Sequence, residues 1–241
     1  MINFKNELLK HIPIHKLFFQ RSYSQYGEDM LLRGFCNAQK AYKGYYVDVG
    51  AHHPYIFSNS MHFYQKGWRG INIEPYPAAH KLFKIFRRKD INLNMGISAQ
   101  EQELTYYCFK DASLNTFSKD SAEELDMQAN NHYITKAIPI KTLPLRVLFD
   151  RYLPPGQEID FLSINTASSA LQTLQSNDWK LYQPAHVLIA DKPAYEEIKH
   201  ASSYQFLIDK SYRLSAQTRR MLLFSRKKNV KNVFSSSALK R

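Results

Sequence analysis

The sequence predicts an α/β fold built on a doubly wound, mostly parallel sheet. Short apolar segments recur along the chain at 44–51, 70–75, 91–98, 160–166 and 186–191. Segments of this length and composition are typical of strands that are buried on both faces. Helical patterns lie between several of these segments, and strands that alternate with helices form right-handed βαβ units.

The helices and the end of the sheet follow from local patterns. Residues 59–68 and 77–89 place apolar side chains at three- and four-residue spacing, as helices do. Residues 212–227, "YRLSAQTRRMLLFSRK", indicate a closing antiparallel hairpin that turns near Gln217–Arg220. Residues 169–172 match the S-x-x-Q pattern of a capping box, which predicts a helix after the strand at 160–166. Residues 104–142 hold two β-rich runs around a polar segment, so we expect an insertion over one edge of the sheet.

Composition supports one globular domain. The 241 residues are 44% hydrophobic and include 16 Tyr and 15 Phe, which is ample material for a core. No apolar run approaches the roughly 18 residues of a membrane span, and Pro13 and nearby charges make the N-terminus a poor signal peptide. We therefore expect a cytoplasmic protein in which Cys36 and Cys108 are free thiols, a single disulfide being the alternative.

The net charge of +12 is concentrated at the two ends of the chain. Residues 1–22 carry +3 and residues 219–241 carry +8, whereas residues 23–218 are close to neutral. We expect a basic N-terminal arm (1–22), a folded domain (23–228) and a basic flexible tail (229–241). Such ends are either solvated or weakly attracted to an anionic surface such as a membrane, and they do not predict a dedicated nucleic-acid groove.

Polar residues follow three of the predicted strands. Asp48 and Gly50 end the first strand, and Gly50 allows a tight turn against a ligand. Glu74 ends the second strand about two dozen residues later, a spacing that suits a carboxylate on the hydroxyls of a ribose. Asn94 follows the third strand, where it could reach an adenine amino group. A surface carboxylate and a turn-forming Asn are the structural alternatives.

Several segments together resemble the FkbM family of S-adenosylmethionine-dependent methyltransferases. They are "SYSQYGEDMLL" (22–32), "YVDVGAHHPYIFSNS" (46–60), "YQKGWRGINIEPYP" (64–77), "INLNMGIS" (91–98), "LNTF" (114–117), "IPIKTL" (138–143) and "DFLSI…LQSNDW" (160–179). The resemblance covers about residues 22–228 in the same order, which is more specific than any one motif.

The resemblance implies a Rossmann-like sheet of about seven strands and S-adenosylmethionine as the cofactor. It also implies O-methylation of a hydroxyl on a sugar, glycan or related small molecule, with acceptor contacts from residues 104–142. Its implied cofactor contacts are Gln25 and Tyr26 in a lid segment, Asp48, Gly50 and His52 near the methionine end, Ser58 and Asn59 beyond that turn, Glu74 on the ribose and Asn94 near the adenine.

One departure from the family pattern concerns the reaction. Where the family typically has F-L-S-I-D-V-E-G, this chain has Asn165 for the Asp, Ala167 for the Glu and Ser168 for the Gly. Asn can orient a hydroxyl, but it cannot accept the proton of that hydroxyl at neutral pH.

Three residues are therefore candidates for the catalytic role: His53, Asn165 and Asp191. A structural role is the alternative for each, including helix capping by Asp191. The nine histidines show no spacing typical of a metal site, so we expect no metal ligands. Two hypotheses stay open: an active methyltransferase, or a catalytically degenerate relative that binds cofactor, glycan or a protein partner without transferring methyl.

Overall fold

A computed structural model describes residues 20–36, 42–127, 133–166, 169–191 and 195–227. Most of the predicted N-terminal arm and all of the predicted tail lie outside these residues. The α-helices are α1 (Glu28–Phe35), α2 (Met61–Gln65), α3 (Pro77–Phe86), α4 (Lys119–Met127), α5 (Leu145–Tyr152), α6 (Ala170–Gln175) and α7 (Ser202–Asp209). The strands are β1 (Tyr45–Val49), β2 (Arg69–Ile73), β3 (Ile91–Leu93), β4 (Gly96–Ile97), β5 (Gln102–Phe109), β6 (Ile134–Leu143), β7 (Phe161–Ile164), β8 (His186–Ala190), β9 (Tyr212–Gln217) and β10 (Met221–Arg226).

Seven strands form the main sheet in the order β3-β2-β1-β7-β8-β10-β9. The pairs β2–β3, β1–β2, β1–β7 and β7–β8 are parallel, whereas β10 runs antiparallel to both β8 and β9. The predicted α/β fold, Rossmann-like and closed by a C-terminal antiparallel hairpin, is confirmed. The strand order reverses between β1 and β7, and ligands of open α/β sheets bind at such a switch point, outside the carboxyl ends of the strands.

The central strands are buried on both faces. β1 and β7 are fully buried, and β8 is buried after its first residue. Apolar side chains from one face pack with α5 and α6, and those from the other face form an aromatic cluster around Phe63, Trp68 and Phe161. This burial explains why the apolar runs, without a two-residue alternation, predicted these strands.

The segment 91–98 forms two short strands: the first ends at Leu93, so Asn94 follows it as predicted, whereas Gly96–Ile97 form a separate strand and do not extend the first. β3 pairs with β2 in the main sheet, whereas β4 pairs with β6 in a second sheet of order β4-β6-β5. The chain turns between them because the Asn94 side-chain amide donates to the carbonyl oxygens of Glu74 and Pro75, at 2.9 and 2.7 Å. The expected insertion at 104–142 is thus the β5–β6 antiparallel hairpin with α4 between its strands.

The predicted capping box at Ser169 does not form. Ser169 is the residue before α6, but its side chain makes no capping hydrogen bond. Its backbone N–H instead donates to the Thr166 carbonyl at 2.9 Å, so the turn after β7 uses the donor that a capping box would satisfy. Both cysteines are free and buried. Among the described helices, none combines the length and apolar character needed to cross a membrane.

Candidate active site

The carboxyl ends of β1, β2 and β7 meet at the switch point of the main sheet. The structure brings together here four residues that the sequence predicted to contact a cofactor: Gly50, His52, Glu74 and Asn94. Asn165 follows β7 at the same edge, and its backbone N–H donates to the Val49 carbonyl at 2.9 Å.

Glu74 is the central ionisable group of this edge. The residue is buried, and its two carboxylate oxygens accept hydrogen bonds from the backbone N–H groups of His52 (2.6 Å) and Tyr76 (2.8 Å). Burial raises the pKa of Glu74 to about 7, the two hydrogen bonds oppose that rise, and the nearby Asp48 adds to it. Each oxygen accepts one of these hydrogen bonds, so lone pairs remain for two ligand hydroxyls.

The turn after β1 is tightly packed against β7. Gly50 has a φ of 70°, and a Cβ on it would lie 2.9 Å from the Asn165 carbonyl oxygen, so a side chain is excluded. The N–H groups of Gly50 and Ala51 donate to the Ile73 carbonyl at 3.0 and 3.1 Å. The Thr166 hydroxyl oxygen beside this turn is buried, and it has no hydrogen-bond partner within the described residues.

Two histidines follow the turn and differ in their surroundings. His52 has a φ of 59° and stacks on Phe57, with ring centroids 6.4 Å apart. The His53 Nδ1 accepts hydrogen bonds from the N–H groups of Tyr55 (3.1 Å) and Ile56 (3.0 Å). Burial lowers the pKa of both rings. Because the lone pair on the His53 Nδ1 is engaged, the neutral ring carries its proton on Nε2 and is poorly placed to accept another.

Asp48, Ser58 and Asn59 lie beneath the turn, in the interior. Asp48 accepts a hydrogen bond from the Ser60 hydroxyl at 2.7 Å, and its burial raises its pKa. Asn59 donates to the Ser163 hydroxyl at 3.1 Å, and Ser58 accepts from the Met61 N–H at 3.1 Å. These contacts fix the loop between β1 and α2 from below.

A fully buried arginine, Arg87, extends this polar layer. Its guanidinium donates to Ser60 (2.8 Å), to the Tyr46 hydroxyl (3.0 Å), to Asp90 (3.0 Å) and to the Pro54 carbonyl (3.2 Å). Its ion pair with Asp90 is completely shielded from solvent. Arg87 could not be predicted as a buried residue, because the run Arg87–Lys89 at the end of a helix is typical of a solvated surface.

Two of the three candidate catalytic residues, Asn165 and Asp191, follow the ends of β7 and β8. The Asn165 side chain is exposed, whereas Ala167 and Ser168 lie outside the described residues. Asp191 follows β8, and one of its carboxylate oxygens accepts a hydrogen bond from the hydroxyl of Ser203 in the first turn of α7. Within the described residues, the second oxygen of Asp191 accepts no hydrogen bond, which leaves its lone pairs for a ligand.

The predicted lid segment packs against the tip of the β9–β10 hairpin. The Arg220 guanidinium donates to the Gln25 side-chain carbonyl at 2.7 Å, and that of Arg219 lies 5.5 Å from the centre of the Tyr26 ring. The buried carboxylate of Glu28 accepts from the Tyr26 N–H (2.8 Å) and from the Thr218 hydroxyl (2.7 Å). No sequence pattern indicates that the hairpin tip meets the lid.

A cleft of about 630 Å³ opens between the lid, the hairpin tip and the end of β8. Its lining residues are Tyr26, Ser113, Leu114, Asp191, Ile198, Gln217, Thr218, Arg219, Arg220 and Leu222. Ser113 and Leu114 come from the β5–β6 connection, the region expected to contact the substrate. A second cleft of about 560 Å³ includes Asp160 and Ala185, which precede β7 and β8, so it lies at the edge of the sheet away from the switch point.

The described residues contain no cluster of three or more His, Cys, Asp or Glu side chains that could hold a metal ion. The arrangement therefore offers a fixed carboxylate at the switch point, a tight glycine turn beside it, and a neighbouring cleft with its own carboxylate, Asp191.

Comparison with known proteins agrees with this geometry. The model of the methyltransferase FkbM domain matches residues 48–227, about three quarters of the chain. These residues include both carboxylates, Glu74 and Asp191. They also include every strand of the main sheet, apart from the first three residues of β1. No curated protein matches the chain. The chain therefore belongs to the FkbM methyltransferase family.

Proposed function

We propose that this protein is an S-adenosylmethionine-dependent O-methyltransferase whose acceptor is a hydroxyl on a sugar or glycan. The observation that carries the cofactor assignment is Glu74. Two backbone N–H groups hold its carboxylate at the end of β2, and each oxygen keeps a lone pair for one of the two ribose hydroxyls. A site prepared in this way needs little rearrangement to bind a ribose.

The other residues of the switch point suit the same cofactor. The Gly50 turn leaves room only for backbone, which allows close approach by a ligand. The Asn94 amide nitrogen is engaged, so its side-chain oxygen is the atom that could accept from an adenine amino group. The buried Thr166 hydroxyl beside the turn is a further polar atom without a partner in the part of the chain that the structure describes. When bound, the cofactor supplies a methyl group on a sulfonium centre, whose C–S bond breaks as the acceptor oxygen attacks.

Asp191 is the best placed of the three candidate catalytic residues. It is a carboxylate in the wall of the cleft, and the Ser203 hydroxyl fixes its orientation. We infer that Asp191 orients the acceptor hydroxyl and takes its proton as the new C–O bond forms. His53 has its Nδ1 engaged, and Asn165 cannot accept a proton. Asn165 is left with a positioning role.

The degenerate alternative has one observation in its favour, the replacement of the family's two acidic residues by Asn165 and Ala167. Against it, the switch point keeps Glu74 and the Gly50 turn, and Asp48 supports the loop beneath them. Burying a charged group is unfavourable. A protein that no longer binds a cofactor would therefore have no need to keep a buried carboxylate such as Glu74.

Transfer of labelled methyl from S-adenosylmethionine to a panel of sugars and oligosaccharides tests the proposal. We expect transfer by the wild-type chain, a fall in kcat of about 10²–10⁴-fold in Asp191→Asn, and no change in Asp209→Asn, whose carboxylate is exposed on α7. The double variant Asn165→Asp, Ala167→Glu restores the family pattern. Transfer by this double variant together with none by the wild type would show that the natural chain is degenerate.

A further inference from the structure

We propose that Arg219 and Arg220 form an anion-binding subsite in the cleft, and that the methyl acceptor is therefore a sugar carrying a carboxylate or phosphate group. This inference rests on the proposed function for the identity of the ligand as an acceptor. The subsite itself depends only on the geometry of the cleft.

Both guanidiniums line the cleft without an acidic partner. Arg219 is exposed and lies over the Tyr26 ring, and Arg220 donates to the neutral side chain of Gln25. Among the described residues, neither has a carboxylate at ion-pair distance, whereas Arg87, Arg146 and Arg151 each pair with one. Two adjacent arginines in a concave site, paired with no acid, favour an anionic ligand.

The backbone that carries the two arginines is held in place. The Thr218 N–H donates to the Met221 carbonyl at 2.8 Å and closes the turn. The Thr218 hydroxyl donates to the buried carboxylate of Glu28 at 2.7 Å, and the same carboxylate holds the Tyr26 N–H of the lid. The two guanidiniums thus project from a fixed turn, which reduces the entropy lost when they bind a ligand.

The size and the lining of the cleft favour a small acceptor over a nucleic acid or a lipid surface. Its volume of about 630 Å³ is in the range of sites for small ligands. Asp191 lies in the wall of the same cleft, so the site distinguishes an anionic group, near the arginines, from a hydroxyl, near the carboxylate. A nucleic acid or a lipid surface requires a broad basic face, and a concave cleft that contains a carboxylate does not provide one.

Arginine is suited to this task because its planar fork of N–H groups binds carboxylate and phosphate oxygens in pairs. A neutral sugar has no group that needs two such cations. The tip therefore confers specificity for charged sugars, and it does so through residues other than Glu74 and the Gly50 turn.

Ligand-observed NMR on the full-length protein tests the subsite without relying on methyl transfer. The probes are glucuronate, glucose 6-phosphate and glucose, each titrated in the absence of cofactor. We expect both charged sugars to bind at least about tenfold more tightly than glucose, a difference of about 1.4 kcal/mol. The charged sugar that binds with the higher affinity shows whether the acceptor carries a carboxylate or a phosphate group.

Substitutions at the hairpin tip test whether Arg219 and Arg220 cause the preference for charged sugars. Arg219→Gln and Arg220→Gln should each remove most of the preference for charged sugars, and Arg220→Lys should keep part of it. Arg213→Gln is the matched control, because it removes the same charge from an exposed position near the other end of β9, about 15–20 Å from the tip.

Equal binding of charged and neutral sugars, no binding of either charged sugar, or an equal loss in Arg213→Gln would overturn the proposal. Failure to bind S-adenosylmethionine, with the charged-sugar preference intact, would instead overturn the proposed function and leave the anion subsite standing. The two failures are therefore distinguishable.

Discussion

Glu74 combines two properties that seldom occur in one side chain. It is buried, so its charged form is disfavoured, and yet both oxygens accept backbone hydrogen bonds that favour the charge. The balance leaves its pKa near 7, where a modest change in its surroundings changes its ionisation. Because ribose hydroxyls donate hydrogen bonds, the ionised form of Glu74 is the better acceptor for a cofactor.

The raised pKa of Glu74 predicts a specific pH dependence of stability. The folded state binds this proton more strongly than the unfolded chain, so the stabilising contribution is present below the ordinary pKa of 4.5 and is lost as pH rises through about 7. Glu74→Gln stays neutral throughout. Across that window, the free energy of unfolding of the wild type should fall relative to that of the variant by up to about 3 kcal/mol.

Urea unfolding at several pH values measures this difference. The matched control is Glu103→Gln, which makes the same chemical change at an exposed carboxylate on β5. Parallel stability curves for the wild type and Glu74→Gln would show that the pKa of Glu74 is not raised.

Several elements around the site depend on Arg87. Its hydrogen bonds link the end of α3 to Tyr46 in β1, to Ser60 at the start of α2, and to Asp90 before β3. Ser60 in turn donates to Asp48, so the guanidinium supports the loop that carries Gly50 and His52. Positioning of this loop is a property of the network as a whole.

Removal of Arg87 should destabilise the fold more than removal of any surface charge. Arg87→Met leaves the carboxylate of Asp90 buried without its partner, so we expect a loss of about 3–5 kcal/mol in the free energy of unfolding. The neighbouring Arg88→Met, at an exposed position, should change it by less than about 0.5 kcal/mol. Thermal or urea unfolding checks both, and similar losses in the two variants would contradict the structural role of Arg87.

The lid and the hairpin tip are joined by Glu28. Its two oxygens accept from Tyr26 and Thr218, which lie 192 residues apart in the chain. Glu28→Gln replaces one acceptor oxygen by an N–H donor, so one of these contacts is lost. We expect faster hydrogen exchange at the backbone amides of residues 218–221, with the exchange of β1 and β7 unchanged.

Exchange measured by mass spectrometry tests this coupling, with Glu124→Gln on the exposed face of α4 as the control. The same variant should weaken binding of a charged sugar more than binding of S-adenosylmethionine, because Glu28 holds Tyr26 and Thr218, which line the cleft. Unchanged protection at the tip would mean that Glu28 does not hold the lid and the hairpin together.

Some elements of the fold could be predicted from the sequence and others could not. The main sheet was predictable because strands buried on both faces leave continuous apolar runs, and the final hairpin because its pattern is local. The break at Asn94 was not, since it depends on hydrogen bonds to carbonyls about 20 residues away. The predicted capping box failed for a similar reason, because the Ser169 N–H is taken by Thr166.

The candidate site was predictable in part. Gly50 and Glu74 follow strands in the sequence, and parallel strands bring their carboxyl ends to one edge. Asp191 follows a predicted strand in the same way, whereas Arg219 and Arg220 reach the cleft through the fold of the C-terminal hairpin, and no local pattern relates them to Tyr26. Arg87 was hidden in the same way, since a basic run near a helix end has the same composition whether it is buried or solvated.

The central claim for the whole molecule is that the switch point binds S-adenosylmethionine through Glu74. Calorimetric titration of S-adenosylmethionine into the wild-type chain above pH 7, where Glu74 is ionised, measures this most directly. We predict saturable binding to one site with a dissociation constant in the micromolar range, weakened about tenfold or more in Glu74→Ala and unchanged in Glu103→Ala. Absence of saturable binding at millimolar cofactor, or equal affinity in wild type and Glu74→Ala, would contradict the account.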